Sequence, residues 1–207
     1  GAIMDTITNY KDRAIASLSG KWGVAAIATL IYLVIFGGIE GTVKYFEMSS
    51  FGTIIQILLF PLAWGFTIMF LENIRHEENG MDIGIMFDGF KDYIRILLTS
   101  LLMNIYIVLW SLLLVVPGII KAYSYSMTYY ILKDDPDLKY NSAIEKSMRM
   151  MEGHKMDLFL LDLSMIGWLF LSIITFGIGF LFLAPYNETA HAHFYEDLKV
   201  ECQQNIA

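Results

Sequence analysis

Six long apolar runs, separated by shorter polar segments, set the plan of the chain. They cover residues 22–39, 51–71, 96–116, 119–132, 157–176 and 178–195, and the longer ones suffice for a helix to cross about 30 Å of hydrocarbon. The third and fourth runs meet at Val116-Pro117-Gly118. Pro117 cannot continue a helix without losing a backbone hydrogen bond but can open the next one, and Gly118 permits a tight reversal. The fourth run is therefore expected to return through the membrane that the third crosses. Gly177 and Gly179 predict a second reversal between the fifth and sixth runs. Pro61 is placed to kink the second run, in which Gln56 needs a partner inside the bundle.

The polar segments carry a different period. Ile7, Tyr10, Ala14 and Leu18 fall at helical spacing within residues 4–19, between Asp5, Lys11, Asp12 and Arg13, as in an amphipathic helix lying at an interface. Residues 82–94 repeat the pattern with Ile83, Met86, Phe87, Phe90 and Ile94, and residues 140–154 with Ala143, Ile144, Ser147, Met148 and Met151. Residues 40–50 read as a short polar loop, and the chain beyond Tyr195 as a solvated tail. Gly20-Lys21, Asp88-Gly89-Phe90-Lys91 and Glu152-Gly153-His154-Lys155 each precede a span. They suggest three units, each a surface helix, a glycine break, an anchoring lysine and an out-and-back hairpin. The expected fold is all-α: one integral membrane domain over residues 1–207, a polytopic bundle of six transmembrane helices in three hairpins with cytoplasmic amphipathic helices.

Composition fixes the solvent. Of 207 residues 56% are hydrophobic and 17% charged, with mean hydropathy +0.53, so the medium is lipid. A net charge of -7 without any dense basic block argues against a nucleic-acid partner. Cys202 is the single cysteine, which excludes an intrachain disulfide. Gly1-Ala2-Ile3-Met4 reads as an expression scar before a native methionine. Charge also orients the chain, because cytoplasmic loops accumulate Lys and Arg. With six spans, Lys44 and Lys121 fall on one side, and the remaining twelve of the 14 cations, from Lys11 to Lys199, on the other. Both termini are then expected in the cytoplasm.

Polar groups at membrane depth mark where chemistry would lie. Lys121, Ser124, Tyr125 and Thr128 share one helical face of the fourth run, expected to point inward, while Ile120, Tyr123, Met127 and Tyr130 lie on another. Asp162 in the fifth run and Asn187 with Glu188 in the sixth would complete a polar seam, joined by Gln56 and Asn104. Glu188 and His191 also have the Glu-x-x-His spacing by which one helix offers two metal ligands, with Asp162 as the available third. Only one copy is present, and packing or headgroup roles for these residues are the commoner outcome. No nucleophile triad, phosphate-cradling glycine loop or Cys-x-x-Cys pair is present, and no cofactor is implied.

Several stretches together carry a resemblance. They are Asp88 to Tyr93, Leu109-Trp110 through Val116-Pro117-Gly118 to Met127, Ala143-Ile144 with Lys146 to Lys155, Pro185-Tyr186 and Phe194-Tyr195. With them the chain resembles a bacterial integral membrane family known only as a domain of unknown function. More loosely, the Pro-Gly turn followed by Ala-Ile-x-Lys-Ser is similar to the membrane domain attached to some glycerophosphodiester phosphodiesterases. The resemblance implies a six-helix fold in a bacterial cytoplasmic membrane and no catalytic residues.

Three functions compete. The first is a noncatalytic module that binds or moves a small or amphipathic substrate through the seam between spans four to six. The second is a structural or regulatory protein whose amphipathic helices dock membrane lipids or another subunit. The third and least favoured is a metal-dependent membrane enzyme using Glu188, His191 and Asp162.

Overall fold

A computed structural model describes residues 6–45 and 49–204. Residues 1–5, including the expected scar and the start of the first amphipathic helix, lie outside the described residues, as do residues 46–48 of the expected loop and the side chain of Lys44. Among the described residues the fold is all-helical, with no strand. Four stretches, Trp22–Ile39, Ser50–Arg75, Tyr93–Leu113 and Lys155–Ile174, are long and apolar enough to cross a membrane.

The first helix, α1 (Ile7–Leu18), opens at Thr6, whose side chain accepts a hydrogen bond from the Asn9 amide at 3.4 Å. Its stripe of Tyr10, Ala14 and Leu18 is buried, with the Tyr10 ring 5.5 Å from that of Phe194. The sequence places this stripe on a lipid surface. The protein instead turns it inward, where it removes more apolar area from water than a headgroup boundary would. Gly20 adopts φ +74°, a left-handed conformation open to glycine, and turns the chain into α2 (Trp22–Tyr45). That helix continues through the first half of the expected 40–50 loop, and buries Ala25, Ala28 and Thr29 while Ile27, Leu30 and Val34 face outward. Small residues inside and large aliphatic ones outside are what helix packing in lipid selects.

The second run is broken at Leu59 into α3 (Ser49–Leu58) and α4 (Phe60–Arg75), with Pro61 in the first turn of α4. Helix α4 is the central rod, with Leu62, Trp64, Ile68, Met69, Phe70 and Leu71 all buried. Residues 76–92, expected to hold a surface helix, strap back along it as a 3-10 helix, Ile83–Phe90. The strap runs antiparallel to α4: Met86 backs onto Gly65, Gly89 onto Pro61, and the Tyr93 hydroxyl donates to the Leu58 carbonyl at 2.8 Å. A Cβ on Gly65 would lie 1.9 Å from the Met86 carbonyl oxygen, so glycine is what lets the two backbones meet.

Next come α5 (Tyr93–Leu113) and α6 (Val115–Tyr125), packed on one another across an extended Leu114. Gly118 is needed for this packing more than for the turn, since a Cβ there would lie 2.2 Å from Ser111 Oγ. The expected fourth span breaks at Ser126-Met127, where α7 (Thr128–Asp134) begins. Arg95 closes the end of α7 by donating to the carbonyls of Leu132 and Leu138 at 2.9 and 2.7 Å. In α8 (Asn141–Met150), Ala143, Ile144 and Ser147 are buried with the following Met151. Ser147 donates to the Ser124 carbonyl at 2.8 Å, so this stripe too is spent on the interior.

Gly153 (φ +87°) turns the chain into α9 (Lys155–Ser164), which is offset at Met165 from α10 (Ile166–Ile174). Phe176 and Gly177, both at positive φ, lead into α11 (Phe180–Gln204). This last helix replaces the expected solvated tail: Leu198 is fully buried and Asp197 accepts from Arg13 at 2.7 and 3.2 Å.

Candidate functional site

One end of the bundle is a layer of paired charge. Arg75, at the end of α4, donates to both oxygens of Asp134 at 2.7 and 3.0 Å and, through Nε, to Glu196 at 2.7 Å. Asp134 also accepts from the Tyr195 hydroxyl and from Lys199, each at 2.7 Å. Burial alone would raise the Asp134 pKa, but the hydrogen bonds from Arg75, Lys199 and Tyr195 outweigh it and hold the carboxyl well below its usual range. Lys21 donates to Asn73 at 2.8 Å, Lys146 pairs with Asp135, and Lys133 lies 3.7 Å from Glu72. Cations that the sequence puts on one side of a membrane are thus each held by a carboxylate or an amide, and Arg75, Lys133 and Lys199 share theirs.

Below this layer lies a second polar group. Glu188 precedes Glu196 by about 12 Å along α11 at helical rise. Three residues on, about a turn later, His191 meets Asp162 of α9, with Nε2 2.5 Å from Oδ1. Tyr123 of α6 donates to the other Asp162 oxygen at 2.8 Å. The Asp162 charge is therefore answered from two helices, whereas Glu188 shares a cleft wall with Thr67 of α4. Pro185 sits inside α11 one turn before this group and cannot donate to the Leu181 carbonyl, which loosens the ladder beside the site.

Two clefts meet at Glu188. One, of about 360 Å³, runs between α9, α10 and α11, with Asp162, Asn187 and Glu188 at its polar end and Met165, Ile166, Leu169 and Leu183 as apolar walls. The other, of about 330 Å³, lies among α2, α4, α7 and α11 and is lined by Thr29, Tyr32, Thr67 and Tyr129 as well as Glu188. Phe180, Ala184 and Glu188 belong to both, so these two turns of α11 are the partition between them.

Of the seven seam residues that the sequence singles out, Asp162, Asn187 and Glu188 come together. Lys121 does not: its ammonium lies 4.9 Å from the Trp110 ring centroid, across the α5–α6 turn. The Ser124 and Thr128 hydroxyls donate within their own chain segment, to Ile120 and Tyr125. Tyr125 is buried with its ring 6.2 Å from that of Tyr106. Asn104, too, is spent on the Ser100 carbonyl of its own helix at 2.8 Å. The face of α6 that reaches the site is the one carrying Tyr123, not the one carrying Lys121. Thr67 is a polar residue in an apolar run and so was findable, whereas Tyr32 and Tyr129 are indistinguishable in sequence from interface aromatics. Among the described residues no three His, Cys, Asp or Glu side chains are arranged to hold a metal ion. His191 Nε2 and an Asp162 oxygen are turned onto each other.

No curated protein and no solved structure matches the chain. A family model described as protein of unknown function (DUF975) matches residues 4–122 and 112–201. Between them the two matches take in both the charge layer and the Glu188 group, and the chain belongs to that family.

Proposed function

We propose that this protein is a noncatalytic module of a bacterial cytoplasmic membrane that binds or moves a small or amphipathic molecule at the Glu188 group. In this reading six spans form three hairpins with both termini in the cytoplasm, and the charge layer marks the cytoplasmic boundary. The supporting observation is the position of Glu188: a carboxylate that forms the common wall of two clefts, each otherwise largely apolar. Ionisable groups at such depth are costly and are kept where they do something. A polar end on an apolar cleft suits a ligand with a polar head and a hydrocarbon body.

The competing role, docking lipids or a subunit through amphipathic helices, keeps the exposed Phe87, Phe90 and Ile94 of the second stripe but loses most of its apolar surface in the other two. Tyr10, Ala14 and Leu18 of α1 and Ala143, Ile144 and Met151 at α8 are all buried within the chain. The test is native mass spectrometry of protein extracted into lipid nanodiscs from its own membrane. The wild type should retain a bound small molecule that Glu188→Ala loses while keeping its cooperative thermal unfolding. The same adducts on both proteins would refute the role given to Glu188.

A further inference from the structure

Resting on the binding role proposed for the Glu188 group, we infer that its ligand is a single-chain amphipathic amine, bound as its ammonium ion. The first ground is charge. The walls of the two clefts hold two carboxylates, Asp162 and Glu188, and no Lys or Arg. His191 gives its Nε2 to Asp162, and Tyr123 donates there too, so the unanswered charge is that of Glu188.

The cations nearest along the packed helices are committed elsewhere. Lys21 is held by Asn73 and the Glu77 carbonyl, Arg75 by Asp134 and Glu196, and Lys121 lies over Trp110. A carboxylate in this medium is stable when a cation meets it, and apart from the His191 ring, which is turned onto Asp162, no cationic side chain of the protein reaches these clefts.

The second ground is shape. In the cleft between α9, α10 and α11, Asn187 beside Glu188 supplies an amide oxygen for an N–H group that the carboxylate does not take. The walls of the same cleft are Met165, Ile166, Leu169 and Leu183, and its volume of about 360 Å³ lies at the small end of ligand cavities. That volume suits one alkyl chain.

The test uses the full chain in nanodiscs of zwitterionic lipid, with dodecylamine, dodecanol and dodecanoate as probes of equal length. Binding is read by native mass spectrometry and by thermal shift. Dodecylamine should bind about tenfold or more tighter than dodecanol, the ratio that about 1.4 kcal/mol of ion pairing gives, and dodecanoate weakest of the three. In Glu188→Gln the preference for amine over alcohol should collapse to near unity while dodecanol still binds, which shows that the cleft is intact. Lys121→Ala, remote from the clefts, should keep the full preference. Equal binding of all three probes to the wild type, or an amine preference surviving Glu188→Gln, would overturn the charge assignment and leave the binding role standing. Absence of saturable binding by any probe would overturn both.

Discussion

Asp134 shows how much a single side chain carries at the charged end. It accepts hydrogen bonds from Arg75, Tyr195 and Lys199, and its side chain is 13% exposed. Removing it leaves two cations facing one another without their shared anion, so Asp134→Ala should cost about 3 kcal/mol of stability, the scale of a broken buried pair. Its pKa is depressed in the folded protein, so the stability it adds is complete above the ordinary aspartate value of about 3.9 and drains away as pH falls through the lower folded value. Melting temperature measured in detergent from about pH 5 to about pH 1 should therefore fall in the wild type, with a shallower acid limb in Asp134→Asn. An unchanged limb would show that another carboxyl controls acid unfolding. The same scale shows what sequence can and cannot reveal. Asp162, Asn187 and Glu188 stand out because lipid makes polar residues conspicuous. Lys121 stands out for the same reason yet belongs elsewhere, since its partner Trp110 is brought near only by the exact crossing of α5 and α6.

Helix pairing in this protein leans on glycine opposite serine. Ser111 and Gly118 meet between α5 and α6, and Ser172 and Gly179 meet at the same spacing between α10 and α11. At Gly118 an added Cβ would lie 2.9 Å from the Ser111 Cα, a backbone atom that cannot swing aside. Gly118→Ala should therefore destabilise the bundle by about 1–3 kcal/mol through overpacking. Gly167 in α10 has nothing within 4 Å of its built Cβ, so Gly167→Ala is the matched control and should be neutral or stabilising by up to about 1 kcal/mol. Thermal unfolding of the two variants side by side decides between close packing and a simple loss of flexibility. Of the three-unit pattern expected from the sequence, the Ser-Gly pair occurs at two turns, and left-handed glycines, Gly20 and Gly153, stand ahead of α2 and α9. The second unit departs from it: Gly89 is used against the Pro61 carbonyl, and the strap it belongs to replaces a surface helix. Periodicity gave the stripe of residues 82–94 but not what it faces, because lipid and a central apolar helix ask for the same side chains.

At the scale of the whole molecule the two ends differ in kind. One end ties Arg75, Lys133 and Lys199 together through Glu72 and Asp134, with Lys21 held by Asn73 and Lys146 by Asp135. The α5–α6 turn and the α10–α11 turn instead expose Leu112 to Val116 at 65–77% and Phe176 at 98%. Stretches such as Tyr93–Leu113 and Lys155–Ile174 reach about 30 Å at helical rise, the thickness of the hydrocarbon layer. In the proposed topology the positive-inside rule puts the apolar tips of these stretches away from the cytoplasm. Single cysteines test this in a Cys202→Ser background, itself a modest change because burial and neighbouring Glu201 push the Cys202 thiol pKa upward and blunt its reactivity. In right-side-out vesicles, Glu78→Cys and Asp137→Cys, both at exposed positions beside the charge layer, should be protected from an impermeant maleimide until the membrane is opened. Phe176→Cys should show no such cytoplasmic protection pattern and should never label from the face that labels Glu78→Cys. Labelling of all three from one face would mean that α9, α10 and the start of α11 lie along the membrane surface, and the clefts at Glu188 would then open to water instead of lipid.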